Sequence, residues 1–162
     1  MNGKPGWANR RLLQRGFSIV ELLVAMILFG IVAAIAIPSF QVLSASADLR
    51  STSSDLVTAI TTARTQAVTL RVSVELAPQA GGWSEGWILT YDWPTGAVEI
   101  EDDVRVTKSG RVTIDGPNSP VTFQPGGIVT NGAVDFELCR DGASREINIT
   151  PLGRVTVQGG TC

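Results

Sequence analysis

A nearly continuous apolar run at residues 16–40 restricts what this 162-residue chain can fold into. The run reads GFSIVELLVAMILFGIVAAIAIPSF and is long enough to cross a bilayer as a helix of about 20 residues. A single carboxylate, Glu21, lies inside it, and four basic residues precede it: Lys4, Arg10, Arg11 and Arg15. A carboxylate in hydrocarbon costs about 2.5–3.5 kcal/mol, so such groups usually have a partner. We expect Glu21 to have a function; the alternative is that it merely reaches the headgroups.

The start of the run resembles the class III signal of type IV prepilins and type II secretion pseudopilins. In that family a short basic leader ends in Gly and the mature chain usually begins with Phe, as at Gly16-Phe17 here. The resemblance implies cleavage between Gly16 and Phe17 by a prepilin peptidase, N-methylation of Phe17, and an assembly role for Glu21. In a filament the Glu21 carboxylate would pair with the amine of a neighbouring Phe17 and set the axial register, a use attested for buried polar pairs.

Two other kinds of apolar segment compete with this interpretation. An ordinary secretory signal is cut after its apolar region at an Ala-x-Ala-like site, and Ala-rich text does occur at residues 32–36. A plain anchor is the other alternative. Both leave Glu21 and the Gly16-Phe17 junction unexplained. The basic leader favours a cytoplasmic N-terminus by the positive-inside rule.

The apolar pattern resumes beyond Pro38, a residue that normally ends or kinks a helix. Apolar residues then recur at three- and four-residue spacing, one face of an amphipathic helix: Leu56, Ile60, Ala63, Ala67 and Leu70. We predict one long helix over residues 17–71, kinked or locally unwound near Pro38. Its second half would lie against a globular domain.

From residue 72 onward, short alternating runs lie between Gly, Pro, Asn and Asp clusters, a pattern typical of antiparallel strands. The predicted strands are 72–76, 86–91, 97–101, 111–115, 121–123, 134–139, 146–150 and 154–158. The predicted fold class is therefore α+β: a long N-terminal α-helix, transmembrane in its first half, packed on a C-terminal antiparallel β-sandwich or sheet. The expected parts are a leader at 1–16, a transmembrane assembly helix at 17–38, its amphipathic continuation at 39–71 and a β-rich domain at 72–162.

The C-terminal text resembles the H-type pseudopilins of type II secretion and the FimT/FimU-like minor pilins of type IV pili. The matching pieces are WSEGWI (83–88), FQPGG (123–127), FELC (136–139), REINI (145–149) and GRV (153–155). The resemblance implies a non-catalytic minor subunit of a type IV pilus or type II secretion pseudopilus, in an initiation or tip complex. Expected partners are prepilin peptidase, other pilins through the N-terminal helix, an inner-membrane assembly platform, and membrane lipid before assembly. The chain would be single-pass in a bacterial inner membrane with its β-domain in the periplasm, later in the filament, and no cofactor is expected.

The two cysteines, Cys139 and Cys162, both lie in the part predicted to face the periplasm. An even count in an oxidising compartment predicts one disulfide, and a free reactive pair is the alternative. A bridge would close a loop of about 24 residues and contribute roughly 3 kcal/mol in the chain-entropy model.

The composition leaves little support for catalysis or metal binding. The chain has no histidine, which removes the commonest general base and the Ser–His and Cys–His pairs. A carboxylate run is a candidate calcium site or catalytic carboxylate pair: Glu99, Glu101, Asp102 and Asp103. We interpret it as an exposed acidic strand end, and it lacks the offsets of an EF-hand. Three tryptophans could form a stacking platform, although a place in the sheet core is favoured: Trp83, Trp87 and Trp93.

Arg154 is the candidate DNA contact. Some FimT-like minor pilins bind DNA through a Gly-Arg-x-Arg stretch near this position, but here the second Arg is Thr156. Without the leader, nine basic residues face 15 acidic ones, a balance of −6, which disfavours binding to a phosphate backbone. DNA binding during transformation is therefore a lesser alternative, as is a membrane-anchored periplasmic binding domain.

Overall fold

The structure is a computed structural model that describes residues 17–162, and for residues 38 and 39 only the backbone. The leader 1–16, with the predicted cleavage residue Gly16, lies outside the described residues. The chain divides into two units, Met1–Ser39 and Phe40–Cys162.

Helix α1 runs from Ile19 to Leu70 and contributes to both units. Two alternatives were predicted near Pro38, a kink or local unwinding. The helix is continuous through position 38, so it is not unwound there, and the kink stays a prediction. A proline costs an interior helix one hydrogen bond, yet its ring holds a φ close to the helical value, so the helix can continue. The helix ends where Arg71 adopts a φ of 58°, the left-handed conformation common just after a helix.

Eight strands follow α1 and form two antiparallel four-stranded sheets. The first sheet has the order β3-β2-β1-β5 and the second β4-β6-β7-β8. The strands are β1 Ser73–Gln79, β2 Gly82–Asp92, β3 Val104–Thr107, β4 Thr113–Asp115, β5 Val121–Phe123, β6 Val134–Arg140, β7 Ala143–Ile149 and β8 Val155–Thr161. The predicted α+β class, a long helix on antiparallel sheets, is confirmed.

The strand predicted at 97–101 is wrong, because β3 forms a few residues later. Val104–Thr107 pairs with β2 from Leu89 to Gly86, and the Gln79 side chain donates to the Val106 carbonyl at 2.8 Å. Gly86 has a φ of 123°, and a Cβ at this position would collide with the Val106 carbonyl oxygen. Residues 97–101 alternate as a strand would, but periodicity cannot tell which of two neighbouring runs the sheet will pair.

One hydrophobic core in residues 40–162 joins the second half of α1 to both sheets. The predicted helix face is buried at Leu56, Ile60, Ala63 and Ala67, while Leu70 is half-buried. β6 shows the simplest strand alternation: Val134, Phe136 and Leu138 point into the core and the residues between them are exposed. Trp83 and Trp87 are buried, so their predicted core role is confirmed.

Ion pairs and the disulfide connect the ends of strands to this core. Arg140, at the end of β6, pairs with Asp48 of α1, and Lys108, just after β3, pairs with Asp55. Cys139 and Cys162 form a disulfide with 6.0 Å between their Cα atoms, as the sequence predicted. The bridge attaches the C-terminus to β6, two strands away across β7.

Candidate functional site

The first part of α1 presents apolar side chains to its surroundings on all sides. Phe17 is 81 % exposed, and each large apolar side chain from Ile19 to Ile37 is at least 50 % exposed. Among the described residues, α1 is the one helix long and apolar enough to cross a membrane. An exposed apolar surface of this size marks a membrane or protein contact.

The residues predicted for processing and assembly lie at the very start of this segment. Phe17 precedes the helix, and Glu21 is exposed in its first turn, where the helix dipole favours a carboxylate. The structure thus places Glu21 four residues from Phe17 on an uncovered surface. Gly16 lies outside the described residues.

Arg154 occupies a tight turn between β7 and β8. Its backbone N–H donates to the Thr150 hydroxyl at 3.1 Å, and its carbonyl accepts from the Thr150 N–H at 2.9 Å, while its side chain is exposed. Arg140, which lies nearby in sequence, is held by Asp48 and Asp141. Arg140 therefore does not add a free cation beside Arg154.

Arg64 of α1 contacts two loops, which hold Gly127 and Gly153 and which the sequence predicts only as separate turns. Its Nε donates to the Gly127 carbonyl at 3.2 Å. Gly153 has a φ of 73°, and a Cβ there would lie 2.5 Å from that Nε and 2.7 Å from the Gly127 oxygen. Pro-x-Gly text at 125–127 and 151–153 signals both turns, but no local signal shows that they meet on one helix residue.

The carboxylate run lies between β2 and β3 and is exposed. Two of its members, Glu101 and Asp103, act on the hydroxyl of Tyr91, which donates to Gln66 Oε1 of α1 at 2.6 Å. Burial first, and then these carboxylates, raise the pKa of Tyr91 above its usual 10.0. In residues 17–162 no group of three or more side chains is arranged to hold a metal ion.

An open groove of about 880 Å³ lies beside β6, β7 and β8. It is lined by four carboxylates: Asp115, Asp135, Glu137 and Glu146. The Asn148 amide donates to Asp135 at 2.8 Å and to Glu146 at 3.0 Å, so part of this charge has a partner. Trp93, the third tryptophan considered for a stacking platform, is half-buried and stacks on Tyr91, with ring centroids 6.0 Å apart.

Comparison with protein families gives two matches. Residues 52–153, more than half of the chain, match the family described as type II transport protein GspH. Residues 11–37 match the prokaryotic N-terminal methylation motif, which spans the Gly16-Phe17 junction. No curated protein sequence matches the chain.

Two solved structures are similar in fold, both of the type IV minor pilin FimU of Pseudomonas aeruginosa in different crystal forms. The first aligns with a TM-score of 0.57 at 18 % identity and covers 72 % of this chain and 92 % of FimU. The second gives 0.56 at 19 % identity, with 68 % and 92 % covered. At this identity the similarity shows the fold.

Replacing Gly153 with alanine should destabilise the junction at Arg64 more than an equivalent change elsewhere. Gly153→Ala incurs the left-handed backbone cost of about 1–2 kcal/mol and also displaces the Arg64–Gly127 hydrogen bond. Gly142→Ala is the matched control, because its φ is 81° and no atom lies within 4 Å of a Cβ there. Denaturant unfolding followed by tryptophan fluorescence should show the larger loss for Gly153→Ala, by about 1 kcal/mol or more. Equal losses would contradict the crowding at Arg64.

The hydroxyl of Tyr91 should titrate above pH 10.0 in the folded protein. The folded state favours the protonated phenol, so its stabilising contribution is complete below pH 10.0 and is lost as pH rises through the higher folded pKa. Tyr91 is the only tyrosine, so tyrosinate absorbance reports it alone. Glu101→Gln should lower this pKa, whereas Glu99→Gln, which removes a neighbouring charge that does not act on Tyr91, should leave it unchanged. Equal shifts of the Tyr91 pKa in the two variants would contradict the effect assigned to Glu101.

Proposed function

Because this chain belongs to the GspH family of type II transport proteins, we propose that it is a non-catalytic minor pilin or pseudopilin built into a filament through its N-terminal helix. The observation that carries the proposal is the methylation motif at residues 11–37, continued by the exposed apolar surface of α1. The fold it shares with the type IV minor pilin FimU supports the same role. The filament would be a type IV pilus or a type II secretion pseudopilus, with this subunit in an initiation or tip complex.

Each part of the chain has a stated role in this proposal. The leader 1–16 keeps the N-terminus in the cytoplasm until prepilin peptidase cuts between Gly16 and Phe17. Residues 17–38 then hold the subunit in the inner membrane, where lipid covers the apolar helix and an assembly platform can receive it. Residues 39–71 continue the helix into the β-rich domain 72–162, which faces the periplasm. On assembly, neighbouring helices replace the lipid.

Glu21 would fix the position of each helix against the next. A carboxylate moved from the headgroup region into a bundle of helices needs a cationic partner. The new amine of a neighbouring Phe17 supplies one at the same depth, because both groups lie at the start of the helix. Only the register that brings the two together satisfies both charges.

A second candidate function is the binding of duplex DNA through Arg154. The observation in its favour is that Arg154 is exposed in the turn whose Gly153 packs against Arg64. The acidic balance of the mature chain and the Thr at position 156 count against it. Salt-dependent DNA retention that is lost in Arg154→Ala would support it.

Intact-mass analysis of the membrane-extracted protein tests the processing step. With prepilin peptidase present, we expect a chain that begins at Phe17 and carries one added methyl group; without it, the full chain. Gly16→Val should block cleavage, while Gly30→Val, the same change inside the apolar helix where no atom lies within 4 Å of a Cβ, should not. An uncut chain, or a cut after Ala36, would overturn the proposal.

Glu21→Gln tests the assembly step separately, because it keeps the size of the side chain and removes its charge. Cleavage should be normal, while recovery in the sheared-filament fraction should fall about tenfold or more, since breaking a buried charge pair costs about 3–5 kcal/mol. Glu85→Gln, an exposed change on β2, is the control and should assemble normally. Normal recovery of Glu21→Gln would refute the assigned role.

A further inference from the structure

Residues 97–103, here called the acidic arm, form an exposed segment between β2 and β3 that combines apolar and acidic side chains. Val98 is 82 % exposed and Ile100 is 69 % exposed. The carboxylates among them are also exposed: Glu99, Glu101, Asp102 and Asp103. The segment has the alternation of a strand and pairs with no strand in the described residues. An apolar, acidic ribbon of this kind fits a basic surface with apolar side chains.

A surface of that kind is present around the junction of Arg64 with the two loops. This basic patch consists of Arg64, Val68, Ile128, Leu152 and Arg154. Val68 and Arg64 both approach Gly127, Arg64 also approaches Gly153, and the Val129 N–H donates to the Pro151 carbonyl at 2.9 Å. Ile128 is 45 % exposed and Leu152 69 % exposed beside these glycines.

The acidic arm and the basic patch are separate surfaces that adjoin different residues of α1. The arm begins six residues after Tyr91, whose hydroxyl donates to Gln66. The patch uses Arg64 and Val68, each two residues from Gln66. Two residues correspond to about 200° around a helix of 3.6 residues per turn, so Gln66 and the two patch residues of α1 lie on opposite sides of the helix axis. The apolar side chains of the arm and of the patch are exposed, so the arm does not cover the patch of its own copy.

We propose that the acidic arm of one copy docks on the basic patch of a second copy of this chain, head to tail. Carboxylates would meet the Arg64 and Arg154 guanidinium groups, and Val98 and Ile100 would pack on the three apolar side chains of the patch. Charge complementarity selects this orientation and disfavours arm-to-arm contact. A contact between two different surfaces is heterologous, so each dimer keeps one arm and one patch free for further copies.

The contact goes beyond the proposed function, because both surfaces lie in residues 40–162. It requires neither cleavage at Phe17 nor pairing by Glu21. It can therefore form in uncut protein. Its success or failure is separate from that of the filament proposal.

Cysteine cross-linking of the full chain in detergent tests the contact. One tagged copy carries Val98→Cys and a differently tagged copy carries Leu152→Cys, and the mixture is mildly oxidised. We expect a mixed dimer in at least fivefold higher yield than in a control mixture. In the control, Val157→Cys, which replaces an exposed valine on β8, takes the place of Leu152→Cys. The yield should be unchanged when both copies also carry Glu21→Gln. Equal yields at positions 152 and 157 would overturn the proposal.

Charge reversal then identifies the pairing groups. Adding Glu99→Lys and Glu101→Lys to the first copy should reduce the mixed dimer at least fivefold, and this variant is informative because both side chains are exposed. Arg64→Glu and Arg154→Glu on the second copy should do the same, whereas the control pair Arg50→Glu and Arg105→Glu should not.

Mixing the reversed arm with the reversed patch should restore the dimer. If it does not, or if reversal has no effect, the proposal is wrong. Duplex DNA is the competing occupant of the patch. Salt-dependent retention of a DNA probe by the unmodified chain, lost on reversal of the patch and accompanied by no specific mixed dimer, would overturn the proposal in favour of nucleic acid.

Discussion

The domain of residues 40–162 depends on the burial of one stripe of α1 by two sheets. Leu56 and Ile60 fill the space between helix and strands, and Ala63 and Ala67 let the backbone come close. A sheet with one apolar face needs such a cover, and here one helix covers two sheets. Without the stripe, the buried residues of β1, β2, β6 and β7 would lose a common partner, and the disulfide would connect strands that no longer share a core.

The same stripe fixes which helix residues remain outside. Gln66 points away from Arg64 and Val68, because residues two positions apart are rotated by about 200° around the helix axis. Gln66 therefore meets Tyr91 on one side, while Arg64 reaches the two glycine loops on the other. The glycines at 127 and 153 allow the close approach of Arg64.

Much of this architecture could be predicted from periodicity. The helix and its buried face were predicted from the spacing of Leu56, Ile60, Ala63 and Ala67, and strand β5 at Val121–Phe123 was predicted with its observed bounds. The error at 97–101 has a physical cause: two adjacent runs can each satisfy a period of two, and the choice between them depends on hydrogen bonds to β2 and Gln79 that are distant in sequence. Local unwinding, one of the two alternatives predicted near Pro38, does not occur, because a single proline does not remove the remaining helical hydrogen bonds.

The sequence by itself determined the kind of protein: an apolar helix with one carboxylate after a Gly-Phe junction, a β-rich domain, and one pair of cysteines. These features are local, since each depends on the order of neighbouring residues or on composition. The tertiary structure decided which turns meet. Arg64, Gly127 and Gly153 are far apart along the chain, and only the packing of two sheets on one helix stripe brings them together, because close approach in space is set by the shared core rather than by any local pattern.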